Sequence, residues 1–224
     1  MIALLLRFVA FFVFSTPLYA ESPEEVFTKI YEQKIWGINE ENGRSGGGSS
    51  LKATVEYRQF LECLLKIGNI HSVVDAGCGE WEFSKKIDWS GILYIGYDVV
   101  RAIVEKDQKA YGCEHIQFVH ADILSTDLPS ADLLICKDLL QHLTNADIMA
   151  LIAQFPKYKY CLIVNDVDKK TKSSLNRDMA LGMTRTVDLT QPPFNLDAKK
   201  VFTYPVDYVG GGASCKQVLL IIHP

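Results

Sequence analysis

The chain has 224 residues, 48% hydrophobic and 22% charged, with a net charge of −4. That length suits one domain plus a targeting segment, and it buries a core without covalent staples. The acidic balance excludes a global attraction to nucleic acid, and with no evident basic patch no nucleic-acid partner is expected. The six cysteines, Cys63, Cys78, Cys113, Cys136, Cys161 and Cys215, form no CxxC pair. No His or Cys spacing suits a metal ion, so no metal is expected.

In chain order, residues 1–20 come first and differ in kind from the rest. Arg7 precedes a wholly apolar run, Phe8 to Phe14; Pro17 breaks it, and Ala20 stands before the acidic Glu21. This resembles a secretory signal peptide cleaved after Ala20, although Leu18 stands where a small residue is preferred; a hydrophobic N-terminal segment that anchors or packs is the alternative. Export or secretion follows as the expectation, with a cytoplasmic location as the alternative. Arg7 splits the apolar run, so no stable membrane span is expected.

Residues 21–50 read as an N-terminal extension. Val26, Ile30 and Ile35 give Glu24 to Trp36 helical spacing. Asn42 to Ser50, NGRSGGGSS, reads either as a linker or as a lid that lets backbone N–H groups approach a ligand. Residues 51–224 form the main domain. Leu51 to Ile67 is an amphipathic helix with Tyr57, Phe60, Leu61, Leu64 and Leu65 on one side.

From Ile70 onward strands and helices alternate. Strands are expected at Ile70 to Asp75, ILYIGYD, IQFVHAD, ADLLICKD and YKYCLIVND. Between them run a glycine turn with a short helix, the helix VVRAIVEKDQKAYG, and the helix LTNADIMALIAQF capped by Thr144 or Asn145. Apolar strands alternating with helices imply an α/β fold with a mainly parallel sheet covered on both faces. Residues 167–198 are polar, contain Pro192-Pro193, and read as an irregular insertion. KKVFTYPVD and KQVLLIIHP, parted by GGGAS, read as an antiparallel hairpin at one sheet edge. Cys136 and Cys161 lie in apolar strand runs and read as small buried hydrophobes.

The segment VVDAGCGEWEF carries the most information. A strand ends in Asp75, followed by Gly77 and Gly79, which permit a tight turn against a ligand. Asp98 ends the next strand, 23 residues on, where a carboxylate grips ribose hydroxyls. Asp122, at the third strand tip, suits an adenine amino group, and Ile123 beside it suits the ring. Each acid alone has a plainer reading as a helix cap or turn, most of all Asp122. A dinucleotide dehydrogenase would carry a third glycine in a GxGxxG turn, and no glycine follows Gly79 within this segment.

The run DAGCG, then Asp98, then ADI, then DLLICKDLLQHL resembles the class I, Rossmann-like S-adenosylmethionine-dependent methyltransferases over roughly Ser72 to Phe155. The resemblance implies that Asp75, Gly77 and Gly79 border the methionine part of S-adenosylmethionine. It implies ribose binding by Asp98, and adenine flanked by Asp122 and Ile123. Lys137 would offer backbone contacts near the methionine amino group, with Asp138 close to the transferable methyl. Many family members carry a glycine where this chain has Trp81.

Methyl transfer asks a protein mainly to position and deprotonate the acceptor. The candidates are Asp138, His142, Asn165 and Asp166, at or just beyond the tips of the fourth and fifth strands. Their plainer readings are an N-cap for Asp138, a backbone-bonded histidine for His142, and turn formers for Asn165-Asp166. Arg177, Arg185 and Asp188 are charged candidates in the insertion. The expected function is methyl transfer to an unidentified small-molecule or protein acceptor. The alternative is a non-catalytic cofactor-binding protein, or an exported interaction protein, on the same fold.

Overall fold

The computed structural model describes residues 21–167, 175–208 and 212–224. The expected signal segment, residues 1–20, lies outside the described residues. So do the first residues of the insertion and the tip of the hairpin. No helix among the described residues is long and apolar enough to cross a membrane.

The first helix, α1 (Pro23–Glu32), begins with a capping box in which Ser22 and Glu25 satisfy each other's backbone N–H groups. It stops short of Trp36 because Lys34 (φ 55°) and Gly37 (φ 82°) take left-handed conformations. The second, α2 (Val55–Ile67), starts four residues later than its apolar pattern. The Thr54 hydroxyl donates to the Ser50 carbonyl (2.8 Å), holding Leu51 to Thr54 in turns instead. The remaining helices are α3 (Arg101–Tyr111) and α4 (Asn145–Ile152). Thr144, not Asn145, caps α4, in a second capping box with Asp147.

The strands are β1 (Ser72–Ala76), β2 (Leu93–Asp98), β3 (Ile116–His120), β4 (Ala131–Lys137), β5 (Tyr158–Val167), β6 (Lys199–Tyr208) and β7 (Gly212–Ile222). They form one sheet of order β3-β2-β1-β4-β5-β7-β6. The first five are mutually parallel. β7 runs antiparallel between β5 and β6, so the expected hairpin closes one edge. The short helix expected after β1 is a single 3-10 turn, Ser84–Lys86. The described part of the insertion is irregular, as expected.

Each sheet face carries its own core. Val74, Leu134, Cys136 and Ile163 pack with Phe27, Ile148 and Leu151 on one side. Val73, Leu133, Ile135 and Leu162 pack with Tyr57, Leu61 and Leu65 on the other. The alternation within each strand is the period-two pattern that two-sided burial requires. The Asp132 carboxylate also pins the start of β1, accepting from the His71 and Ser72 amides at 2.8 and 2.9 Å.

Strand order reverses between β1 and β4. In an open parallel sheet the crevice for a ligand opens there, beyond the carboxyl ends of the strands.

All six cysteines are free thiols, with Cys136, Cys161 and Cys215 buried and Cys63 and Cys113 exposed. A thiol reagent should therefore label Cys63 and Cys113 within minutes. Cys136 and Cys161, each 0% exposed in neighbouring strands, should react only as fast as the domain unfolds. Mass spectrometry of the labelled peptides reads both groups, and fast labelling of Cys136 would contradict this packing.

Candidate active site

The crevice is built first by the loop after β1. The Gly77 and Cys78 amides both donate to the Tyr97 carbonyl, at 2.8 and 3.0 Å, folding the loop back onto β2. That turn requires positive φ at Gly77 (76°) and Gly79 (57°). A Cβ would also stand 3.0 Å from the Leu139 side chain at Gly77, and 3.0 Å from the Ser45 hydroxyl at Gly79. Trp81, where many family members have glycine, keeps the left-handed backbone, φ 52°. Its ring lies 5.0–5.6 Å from those of Tyr111, Phe118 and Tyr94. Aromatic packing therefore offsets the backbone strain. The same side chain both lines the cavity and belongs to the core.

The strand-tip acids sit in three different environments. Asp75 is buried and accepts from the Tyr94 hydroxyl at 2.7 Å. Burial raises its carboxyl to about 7, with the Tyr94 bond and Lys137 opposing that rise. Asp98 is buried and accepts from the Gly79 amide (3.0 Å) and the Val100 amide (2.9 Å). Burial raises its pKa too, against the pull of these amides. Asp122 caps its own turn, accepting from the Leu124 amide at 3.0 Å, while the neighbouring Ile123 is buried. All four residues line one cavity of about 370 Å³, within the usual range for small-molecule sites.

The N-terminal extension forms the opposite wall. Phe27, Tyr31 and Trp36 line the cavity, as does the Gly/Ser run at Ser45 to Ser49. The Ser45 hydroxyl meets the Tyr31 hydroxyl at 3.0 Å and accepts from the Glu80 amide at 3.2 Å. Arg44 and Lys106 both pair with the buried Glu80 carboxylate, at 3.0 and 3.1 Å. The run is thus packed on the site.

At the tip of β4 the chain turns sharply, with Asp138 left-handed at φ 57°. Its carboxylate accepts from Lys137 Nζ (2.6 Å) and from Lys216 Nζ (2.7 Å). Burial opposes its charge, but the two ammonium groups hold the carboxyl well below the usual range. Asp138 therefore does not cap the following turn. Lys216 also pairs with Asp166 at 2.9 Å, and Asp166 accepts from the Ser214 hydroxyl at 2.6 Å. The Lys137 ammonium donates further to the Gly48 carbonyl at 2.9 Å, beneath the glycine run. A Cβ at Gly48 would come within 3.1–3.2 Å of Asp138 and Lys216.

His142 is buried, and desolvation lowers its pKa to about 4. Its Nδ1 lies 3.2 Å from the Met183 carbonyl, which accepts only from an N–H. The proton is thereby assigned to Nδ1, leaving a lone pair on Nε2, 3.4 Å from the Gln141 amide nitrogen. The structure brings Lys137, Asp138, His142 and Asp166 onto the same cavity. Asn165 is not among the lining residues; it is buried, on the opposite sheet face from Asp166.

Sequence reasoning missed Lys216, Trp36 and Glu80. Only Lys216 left a signal, a lysine inside the apolar strand SCKQVLLII. Of the insertion's charges, Arg185 donates to the Leu143 carbonyl (2.6 Å) and to the Arg177 carbonyl, tying the insertion to the turn after β4. Arg177 is exposed, and Asp188 accepts from the Thr190 amide at 3.0 Å. Leu181 and Thr184 line the cavity, and Phe194 packs in the core.

No curated protein matches the chain. Among solved structures it is similar to the N-methyltransferase NodS of Bradyrhizobium japonicum in complex with S-adenosyl-L-homocysteine. Identity there is 15%, over 88% of this chain and 99% of that one, with a TM-score of 0.61. It is also similar to the magnesium protoporphyrin IX methyltransferase of Synechocystis with bound S-adenosylmethionine. That match has 17% identity over 90% and 98% of the two chains, and a TM-score of 0.56. At such identity the likeness shows the fold. Residues 73–158 match a family model described as a methyltransferase domain. Residues 73–158 are thus similar to a methyltransferase domain, and the sheet order is that of the Rossmann-like fold these solved structures share.

Proposed function

We propose that the enzyme methylates a small molecule held between Asp138 and His142. The observation that carries this reading is a single cavity joining the Asp98–Gly79 turn to Asp138 and His142, walled by the N-terminal extension. S-adenosylmethionine, when bound, supplies an electrophilic methyl group on a sulfonium sulfur. Asp98 binds its ribose hydroxyls, since each carboxylate oxygen keeps a lone pair beyond its backbone bond. Asp75 accepts from the methionine ammonium, with its carboxylate oriented by Tyr94. Ile123 packs on the adenine. Gly77 and Gly79 let the backbone approach the methionine part, and the main chain of Lys137 faces the same part.

Asp138, held ionised by two lysines, is a weak base. It orients the acceptor through its remaining lone pairs, and Asp166 completes that polar end. His142 is the base: neutral at pH 7, it takes the acceptor's proton on Nε2. Asn165, outside the cavity, supports the β5 tip.

Titration calorimetry of the full chain with S-adenosylhomocysteine tests the cofactor half, and no binding at millimolar ligand would refute it. Transfer of tritiated methyl to a small-metabolite extract tests the other half. His142→Phe should keep ligand binding while turnover falls by about 10²–10⁴-fold. With S-adenosylmethionine kept saturating at every pH, the wild-type rate should stay level from pH 7 to 5, then fall as His142 protonates near about 4.

A further inference from the structure

Gln141 has no role in the reading above, yet it is buried beside His142 and lines the same cavity. Its side chain is fixed at one end. The Asp166 backbone amide donates to it at 2.9 Å, and an N–H needs an acceptor, so that end is Oε1. The other end, Nε2, holds only donors, and it stands 3.4 Å from His142 Nε2. That imidazole nitrogen therefore bears no proton. The far side of the ring gives the same answer independently. Nδ1 lies 3.2 Å from the Met183 carbonyl, which accepts only from an N–H, and 3.4 Å from the Thr184 hydroxyl. Trp36 stacks on the face of the ring, with centroids 4.5 Å apart. A protonated His142 would aim an Nε2–H at the Gln141 NH2 group, donor against donor. Gln141 thus disfavours the imidazolium as well as the other tautomer, and burial acts in the same direction. The charged groups facing the ring are Asp138 beyond β4, Asp166 on β5 and Lys216 on β7.

We propose that Gln141 is a positioning residue, which ties His142 to the tip of β5 and keeps the Nε2 lone pair bare for the acceptor's proton. The inference rests on the reading of His142 as the base. At 3.4 Å the Gln141–His142 bond is long and therefore weak, so an O–H or N–H of the acceptor displaces it at little cost. Gln141 holds the lone pair in line until the acceptor takes its place. The bond from the Asp166 amide is shorter, and it keeps the glutamine itself from turning over.

The test is NMR of the full chain labelled with nitrogen-15 histidine, which reads the proton on each ring nitrogen. His142→Phe identifies the His142 signals among those of the five histidines. Wild-type His142 should show a protonated Nδ1 and a bare Nε2, and should stay neutral from pH 7 down to 5. Gln141→Glu keeps an oxygen for the Asp166 amide and replaces only the group that faces His142. It should raise the His142 titration midpoint by about one to three pH units, since a carboxylate favours the imidazolium. Gln141→Met has similar length and no charge to bury, so it decides the matter should the glutamate variant fail to fold. It should raise the midpoint by about half to one pH unit and let part of the population carry the proton on Nε2. A wild-type proton on Nε2 would overturn the inference. So would a folded Gln141→Glu whose His142 is still neutral at pH 5, or a Gln141→Met whose His142 signals match wild type at every pH. The two readings fail separately. His142→Phe that transfers tritiated methyl at the wild-type rate overturns the base reading, whereas the NMR results bear on Gln141 without any turnover.

Discussion

Replacing Asp98 with alanine is expected to weaken S-adenosylhomocysteine binding by about 1.5–3 kcal/mol, roughly 10- to 150-fold in Kd. Two losses add in this substitution. The ribose hydroxyls lose an ionised acceptor. The Gly79 and Val100 amides, 3.0 and 2.9 Å from the carboxylate, lose theirs as well. The second loss loosens the glycine turn that lies against the ligand. Asp98→Asn keeps one acceptor oxygen and so should fall between alanine and wild type. Calorimetry on the three proteins reads the series. Asp98→Ala binding within twofold of wild type would mean that the ribose is held elsewhere.

Asp75 gives the same experiment a pH axis. Its carboxyl sits at about 7 because burial outweighs the Tyr94 hydrogen bond. An ammonium ligand needs the ionised form. Affinity should therefore rise with pH up to about 7 and level off above it, with close to a tenfold change per pH unit on the acid side. The slope should vanish in Asp75→Asn, which cannot titrate.

The α/β order, the hairpin and the acids at the strand tips were legible in the sequence because each leaves a local mark. A parallel strand buried on both faces is a continuous apolar run, and a strand tip is the acid or glycine that ends it. Asp75, Gly77, Gly79 and Asp98 are of this kind. The acceptor side was less legible because its contacts are long-range. Lys137 and Lys216 meet on Asp138 from strands 79 residues apart in the chain. Trp36 reaches His142 from the N-terminal extension. For Asp138, a catalytic candidate, the plainer reading was a cap, because an acid before a short turn is ordinarily one. The structure gives it two ammonium partners instead, and nothing within three residues of it announces the second. The Gly/Ser run was ambiguous for the same reason, since its composition suits a linker as well as a wall. Its place became plain once Ser45 met Tyr31 and the Glu80 amide.

Lys216→Met is expected to have the largest effect on stability of any single change at the site. The Lys216 side chain is 1% exposed, and its ammonium pairs with Asp138 at 2.7 Å and Asp166 at 2.9 Å. Methionine fills much of the same space, so the loss is one of charge more than of volume. Removing one partner of a buried ion pair costs about 3–5 kcal/mol, because the other charge stays buried without its counter-ion. Lys216→Arg keeps the charge but cannot place a planar fork where a compact ammonium fits, so it should cost less but not nothing. The pH dependence gives the sign. Wild-type Asp138 has its folded pKa depressed below the ordinary value of 3.8. Its contribution is complete above that value and is lost as pH falls through the folded pKa. The variant lacks part of this contribution at neutral pH, and protonation of its Asp138 relieves the deficit in acid. The gap between wild type and Lys216→Met in urea unfolding should thus be widest near pH 7 and narrow in acid, closing only as pH falls through the depressed folded pKa of Asp138. A gap that stays constant with pH would show that Lys216 acts through packing alone.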